Sequence, residues 1–518
     1  MSAVLGMSLV AAGCGGDSDD GATGDTLNAE VQEGVAAALG SSPTTVRPVV
    51  EPASIEEWEE LWAAERAAAV ERIGAEGWGL SEDGSTVTGP GGMSIDVASC
   101  PAGWSNTEGL TDTEVRLGAT MPFSGFLADS GNIAKTMTAL FQHYSDEGYF
   151  TDSEDKARRV SVTVRDDGAD PARTIPLVDE LIDSEKVFAV TTLGTAPSLR
   201  VYDKLNQRCI PQPLAITGHP AWGDPVNHPW TTGSQLAYTT EAVIWGTYIE
   251  QHIDEFDGDV KIAALVMEND FGVAWESAFR AYIDQSPLGD QVEFVTQRVE
   301  VNAPTMTDAM TTLAAEQPDI FIAMIAGGPC TQVINDAAAN GMKDSASYLF
   351  LPSVCKASSF VGKDKVGGDG SAADGWLIVG GGVKDFNAEA LDDDPYVAWA
   401  RDMLAEQDVD YRSSGSIGVG FQYMWPLVQA VKLAGELEGG LSRTNLMLAL
   451  RTMDMTHPTL VPGVGFNMHG ADDAYFIEGS DISVWDSEQQ VWVQEGEVID
   501  VSGTSGTCAF DASTARCG

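Results

Sequence analysis

The sequence predicts an α/β protein made of two doubly wound, parallel-sheet modules. Three observations carry this. From Glu114 onward, short β-branched runs alternate with longer segments of helical periodicity. Near residue 236 the same alternation starts again. What repeats is the architecture, two similar α/β modules. Strands alternating with helices argue for a parallel sheet with helices on each side.

Taken in order, 115–122, 158–166, 187–194 and 209–218 read as strands, with helices at about 132–144, 171–184 and 196–208. A helix at 236–252 opens the second module. Its strands are 260–270, 292–301, 319–328 and 347–353, and 375–381 is a further strand. Helices follow near 395–407, 417–437 and 443–453. Residues 481–500 alternate apolar and polar side chains about a polar turn, which predicts a β-hairpin. Upstream, Ile55, Trp58, Trp62, Ala69 and Ile73 fall on one helical stripe. With the glycine-punctuated stretch that ends at Cys100, this makes 53–112 an accessory segment.

At 518 residues the chain has room for two or three domains. No stretch approaches the ~20 apolar residues a membrane-spanning helix needs. Asp and Glu number 78 against 28 Lys and Arg, a net charge of −50 spread along the chain. Nucleic acid and anionic membrane surfaces are disfavoured as partners, because both would be repelled. Self-repulsion on this scale is screened at ~1 M salt, where the Debye length is ~3 Å. A saline habitat fits this; a generically acidic secreted protein is the alternative.

The first residues, MSAVLGMSLVAAGCGGDSDDGATGD, place a short apolar run and Ala11-Ala12-Gly13 before Cys14, then a small polar tract. This resembles a bacterial lipoprotein signal (1–14) cleaved before a lipidated Cys14, with a flexible linker at 15–52. Two departures are plain: no Lys or Arg precedes the run, and Ala11 stands where Leu is commoner. The alternative is an ordinary apolar stretch with a chance cysteine. Six further cysteines remain, and an even number in an exported chain suggests disulfides, with fifteen connectivities open. No Cys/His cluster suggests a metal, and no cofactor is expected.

Residues 114–500 resemble the type I periplasmic binding proteins, specifically the branched-chain amino-acid/amide-binding branch that serves ABC transporters. The matching pieces come in the family's order: EVRLGATMPFSG (114–125), VRDDGADPARTIPLVDELI (164–182), VFAVTTLGTAPS (187–198), IPQPLAITGHP (210–220) and VKIAALVMENDFGVAW (260–275). The resemblance implies two lobes joined by a three-segment hinge, with solute held between them. Mapped here, lobe 1 is 113–235 plus 356–450, lobe 2 is 236–355 plus 451–502, and 503–518 is a tail. It implies a monomer, a small-molecule ligand and a transporter permease as partner. A surface receptor presenting its ligand to a sensor is the alternative within the same fold.

In that frame Ser124 and Gly125 reach the cleft after the first strand. Gly194 and Thr195 turn from strand into helix, with Thr195 as an N-cap beside exposed helix-start amides. Ala215 and Thr217 hold the ligand's polar end, and Phe271 supplies a ring. Pro329 and Cys330 form the lobe 2 turn. Thr195 as a plain helix cap, Thr217 as a plain turn residue and Phe271 as plain core are the competing readings. Asp166, Asp167 and Asp170 read as structural, at a helix start.

One departure is informative. Amino-acid-binding relatives place an acid after the strand at 319–328; here the run is Gly328-Pro329-Cys330-Thr331. A buried ammonium without a charged partner is costly. This disfavours leucine, isoleucine and valine and favours an amide, a carboxylate or a neutral solute. An amino acid would need another acid, such as one in the 385–394 loop.

Adjacent parallel strands would bring Cys330 and Cys355 to one edge of lobe 2. Cys508 and Cys517, close in sequence, would staple the tail, leaving Cys100 for Cys209. An enzyme is disfavoured. There is no G-x-S-x-G elbow, H-E-x-x-H or Walker loop, and the six histidines adjoin no nucleophile pattern.

Overall fold

The computed structural model describes residues 50–502 and 507–511, together with the backbone of 516–517. Cys14, the expected signal and nearly all of the expected linker lie outside the described residues. Helix α1 (Ile55–Glu76) starts where the Ser54 side chain accepts from the Glu57 amide and ends at left-handed Gly77. Trp58, Trp62, Ala69 and Ile73 are buried as one stripe, while Ile55 is partly buried. Strands β1 (Gly79–Leu80), β2 (Thr86–Thr88) and β3 (Ser94–Asp96) form a small antiparallel sheet. A disulfide joins Cys100 to Cys209, with 5.7 Å between their Cα atoms.

Lobe 1 begins with β4 (Glu114–Met121), α2 (Ile133–Asp146), β5 (Arg159–Asp166) and α3 (Pro171–Asp183). It continues with β6 (Ala189–Thr192), α4 (Thr195–Gln207), β7 (Gln212–Ala215) and β8 (Thr231–Gly233). β5 and β6 flank β4 in parallel, and β7 pairs in parallel with β8. The Leu193–Ile216 bridge and the bond from the Val190 amide to the Pro211 carbonyl (3.0 Å) link the two pieces. The ladder is irregular because Leu214 has φ 52°, a left-handed conformation rare for a bulky residue. Its amide donates to Thr232 Oγ1 at 2.9 Å.

Lobe 2 holds α5 (Tyr238–Gln251), β9 (Val260–Met267), α6 (Asp270–Gln285), β10 (Val292–Val299) and α7 (Thr307–Ala315). After them come β11 (Ile320–Met324), α8 (Pro329–Asn340), β12 (Tyr348–Leu351) and β13 (Leu377–Val379). The chain crosses to α9 (Pro395–Glu406), α10 (Gly415–Glu436) and α11 (Arg443–Thr452), of which α10 packs on α2. It then returns through β14 (Gly479–Ser480), β15 (Ile482–Asp486), β16 (Val491–Gln494) and β17 (Ile499–Asp500).

The lobe 2 sheet runs β10-β9-β11-β12-β13-β15-β16. It is parallel as far as β13, and the hairpin β15–β16 extends it antiparallel. The boundary expected at 356 is therefore too early. Hydrogen bonding of β13 to both β12 and β15 keeps the chain in lobe 2 until about residue 380. Cys330 and Cys355 are bonded at a Cα separation of 5.8 Å, as strand adjacency predicts. Cys508 is disulfide-bonded, and the side chain of its expected partner Cys517 lies outside the described residues.

The accessory helix is clamped to lobe 1. Trp62 packs on Trp425 (5.2 Å between ring centroids) and edge-on to Tyr396 (5.9 Å). Its indole N–H donates to the Thr456 carbonyl at 3.0 Å. Buried Arg66 donates to Gln429 Oε1 at 2.6 Å, so its charge is hydrogen-bonded rather than stranded.

Candidate interlobe solute site

Parallel strands present their C-terminal ends, with free backbone groups and helix starts, on one side of a sheet. Here the ends of β5, β6 and β7 face those of β9, β11 and β12 across a cavity of about 410 Å³. The lobes already touch at its rim. Gly327 has φ 71°, and a Cβ there would come within 2.5 Å of the Phe126 carbonyl oxygen. Close approach of two backbones is what requires glycine at that turn.

On the lobe 1 side, Gly194 (φ 92°) turns the chain directly from β6 into α4 and is itself the N-cap. Thr195, expected to cap the helix, is instead its first residue. Its hydroxyl shares a 2.7 Å hydrogen bond with that of Thr217. Thr217 in turn lies 3.3 Å from the Tyr238 hydroxyl. Gln235 continues the chain, donating to Tyr238 (3.3 Å) and accepting from Tyr423 (2.9 Å). This polar chain starts on lobe 1, reaches Tyr238 at the start of lobe 2 and returns through Gln235 of the first crossing segment to Tyr423 on α10 of lobe 1. Burial pushes the Tyr238 phenol up to about 12, so it remains a neutral donor.

Tyr238 stacks on Trp275 (4.7 Å) and meets Phe271 edge-on (5.0 Å). Asn269 caps α6 by accepting from the Gly272 amide at 3.1 Å, which fixes Phe271 in the cavity wall. Leu127, Ile133, Ile216, Met267, Val354 and Phe360 make much of the remaining wall apolar.

Further charges come from lobe 2 and from the second crossing segment. Lys356 donates to Asp481 Oδ2 at 2.6 Å, and both are buried. Lys384 donates to Glu51 (2.6 Å), Asp394 (2.7 Å) and the Pro458 carbonyl (3.1 Å). Buried Glu241 holds Ser353 through its amide (2.7 Å) and hydroxyl (2.6 Å), and burial raises that carboxyl well above the ordinary range. Burial also raises the Asp385 carboxyl.

Gly194, Thr195, Thr217 and Phe271 are thus brought together on one cavity. Ser124 is exposed and donates to Asp166, and Gly125 lies beside the Gly168 carbonyl; the cavity meets the next residues, Phe126 and Leu127. Ala215 is core, its carbonyl accepting from Ser234 at 3.0 Å. Pro329 and Cys330 are buried at the start of α8, while Ala326 and Gly327 of the same turn face the cavity. Asp167 serves the loop by accepting from Ala169 and Thr174, and Asp170 caps α3.

Sequence reasoning missed Gln235, Tyr238, Lys356, Lys384, Gln422 and Tyr423, and reached Asp385 only as one acid of the 385–394 loop. Only a continuous apolar run around Tyr423 marked α10 as central, and nothing local marked the others.

No curated protein matches the chain in sequence. Among solved structures, a branched-chain amino acid ABC transporter protein from Thermus thermophilus with bound valine superposes with TM-score 0.64 at 16% identity, over 76% of this chain and 98% of that one. A fatty acid ABC transporter substrate-binding protein from Thermomonospora curvata superposes with TM-score 0.59 at 16% identity, over 80% and 97%. A solute binding protein of an ABC transporter from Rhodopseudomonas palustris, in complex with p-hydroxybenzoic acid, gives TM-score 0.58 at 16% identity, over 75% and 98%. The periplasmic binding protein model matches residues 114–480, well over half of the chain, and the chain belongs to that family of extracytoplasmic solute-binding proteins.

Proposed function

We propose that the protein captures a small polar solute between its lobes and delivers it to an ABC-transporter permease. The solute is a carboxylate, amide or amino-acid-like molecule with an apolar body. The polar chain Thr195–Thr217–Tyr238–Gln235–Tyr423 carries this reading. It sets hydroxyls and an amide at one end of a largely apolar cavity and links both lobes there. Such a wall suits an acceptor-rich head group with a hydrophobic body behind it. The uncapped first turn of α4 adds backbone amides at the same end.

We further propose that lipid on Cys14 holds the protein, as a monomer, at the extracytoplasmic face of the cell membrane. Among the described residues no helix is long and apolar enough to cross a membrane. Calorimetry with small carboxylates, amides and amino acids tests the binding reading: saturable heats with one of these classes support it, and none with any would remove it. Membrane partitioning of the wild type, lost in Cys14→Ala, tests the anchor.

A further inference from the structure

Helix α10 turns one face to the cavity. Ser416, Val419, Gln422 and Tyr423 line it, at the intervals of three and four residues that keep side chains on one side of a helix. Gln422 is only 4% exposed, and what remains accessible lies in that wall. Its main-chain carbonyl accepts from His457 Nε2 at 3.0 Å. Its side-chain carboxamide makes no hydrogen bond among the described residues. Neither Oε1 nor Nε2 is sealed off, however: both keep accessible surface, whereas Nε2 of Gln429, two turns further along α10, is closed in. The buried polar side chains around it are engaged within the protein: Thr195 with Thr217, Tyr423 with Gln235, Lys356 with Asp481 and Ser416 with Asp129. Buried polar groups in folded proteins nearly always find a partner. The Gln422 carboxamide finds none in the protein and is open to the cavity.

A carboxamide sets an accepting oxygen beside a donating N–H₂, whichever way it is turned. A carboxylate on the solute would answer only the N–H₂, and an ammonium only the oxygen. A neutral C=O beside an N–H answers both, in one ring of two hydrogen bonds. Leaving either atom unmet once solute displaces water costs the desolvation of that atom. We propose that Gln422 is the specificity-determining contact of the cavity, pairing edge to edge with a carboxamide, urea or lactam group of the solute. This rests on the solute-binding reading above and narrows it. Thr195, Thr217 and the α4 amides take the acceptor-rich head, and Gln422 reads a neutral amide group on the same molecule.

The test uses matched solutes in which a methyl ketone replaces the carboxamide, keeping shape and acceptor while removing the donor. The pairs are 4-carbamoylbenzoate with 4-acetylbenzoate, succinamate with 4-oxopentanoate, and glutamine with 2-amino-5-oxohexanoate. Calorimetry gives their affinities beside those of plain carboxylates. The wild type is expected to bind the amide of a binding pair about tenfold or more tightly than its ketone. Gln422→Met keeps the length of the side chain, breaks no hydrogen bond of the protein and is expected to abolish that preference. Equal affinities within every binding pair, a preference unchanged in Gln422→Met, or binding of plain carboxylates with no pair binding would overturn the proposal and leave the solute-binding reading standing. No binding by any of these solutes would remove both. Should Gln422→Met not fold, the wild-type ratios and Gln422→Leu decide the matter by the same criterion.

Discussion

The hydroxyls of Thr195 and Thr217 lie 2.7 Å apart, one at the start of α4 and the other just past β7. Both are buried, and 22 residues separate them in sequence. A neutral hydrogen bond contributes about 1 kcal/mol net, roughly a fivefold change in affinity. Thr195→Val and Thr217→Val are each expected to weaken solute binding by about that much or more. Thr217→Val should be the more damaging, because Thr217 also meets Tyr238. Calorimetry on the two variants checks the order.

The buried pair of Lys356 and Asp481 makes a second prediction. Lys356→Met strands a carboxylate that would still accept from Gly382 (3.1 Å) and Ser483 (2.6 Å). Breaking one side of a buried pair costs about 3–5 kcal/mol. Replacing both, as Lys356→Met with Asp481→Leu, is expected to cost less than the lysine change alone. Denaturant melts of the three proteins decide this.

The bridge between Cys330 and Cys355 closes a loop in lobe 2. Replacing both by Ser is expected to lower stability by about 2–4 kcal/mol. A urea midpoint unchanged from wild type would count against a bridge in the native protein.

His457 predicts acid sensitivity. Its Nδ1 accepts from the Thr459 amide (3.2 Å), so its Nε2–H donates to the Gln422 carbonyl (3.0 Å), and the neutral ring is fully satisfied. Burial lowers its pKa from 6.5 to about 3. The unfolded chain takes up this proton below about 6.5 while the folded one does not. Its contribution is therefore fully present above that pH and is lost as pH falls toward 3, at about 1.4 kcal/mol per unit. Nitrogen NMR of the ring should find it neutral at pH 5.

With a net charge of −50, the melting temperature should rise as NaCl goes from low to molar concentration, through screening. A flat or falling curve would oppose this.

The alternation of strands and helices was legible because each element carries its own period. Thr195 was legible too, as a strand-to-helix turn beside glycine, although Gly194 took the capping position. The end of lobe 2 was not. β13 belongs there through bonds to β12 and β15, and β15 lies about a hundred residues further on. Tyr238 and Tyr423 were illegible for the same reason. Each sits in a crossing segment or long helix, where no local pattern separates a cavity wall from a core. Cys330 was read as cleft because its turn does reach the cleft, but Ala326 and Gly327 form that surface and the thiol is spent on Cys355.

Glu51, at the start of the described chain, is tied to Lys384 in the second crossing segment. The N-terminal chain therefore joins the body beside a pivot rather than at the tip of either lobe. A load applied there acts with a short lever arm on the two lobes. Were the far end held by lipid on Cys14, as proposed, the lobes would swing together and apart without dragging the anchor, and solute capture would do almost no mechanical work against it.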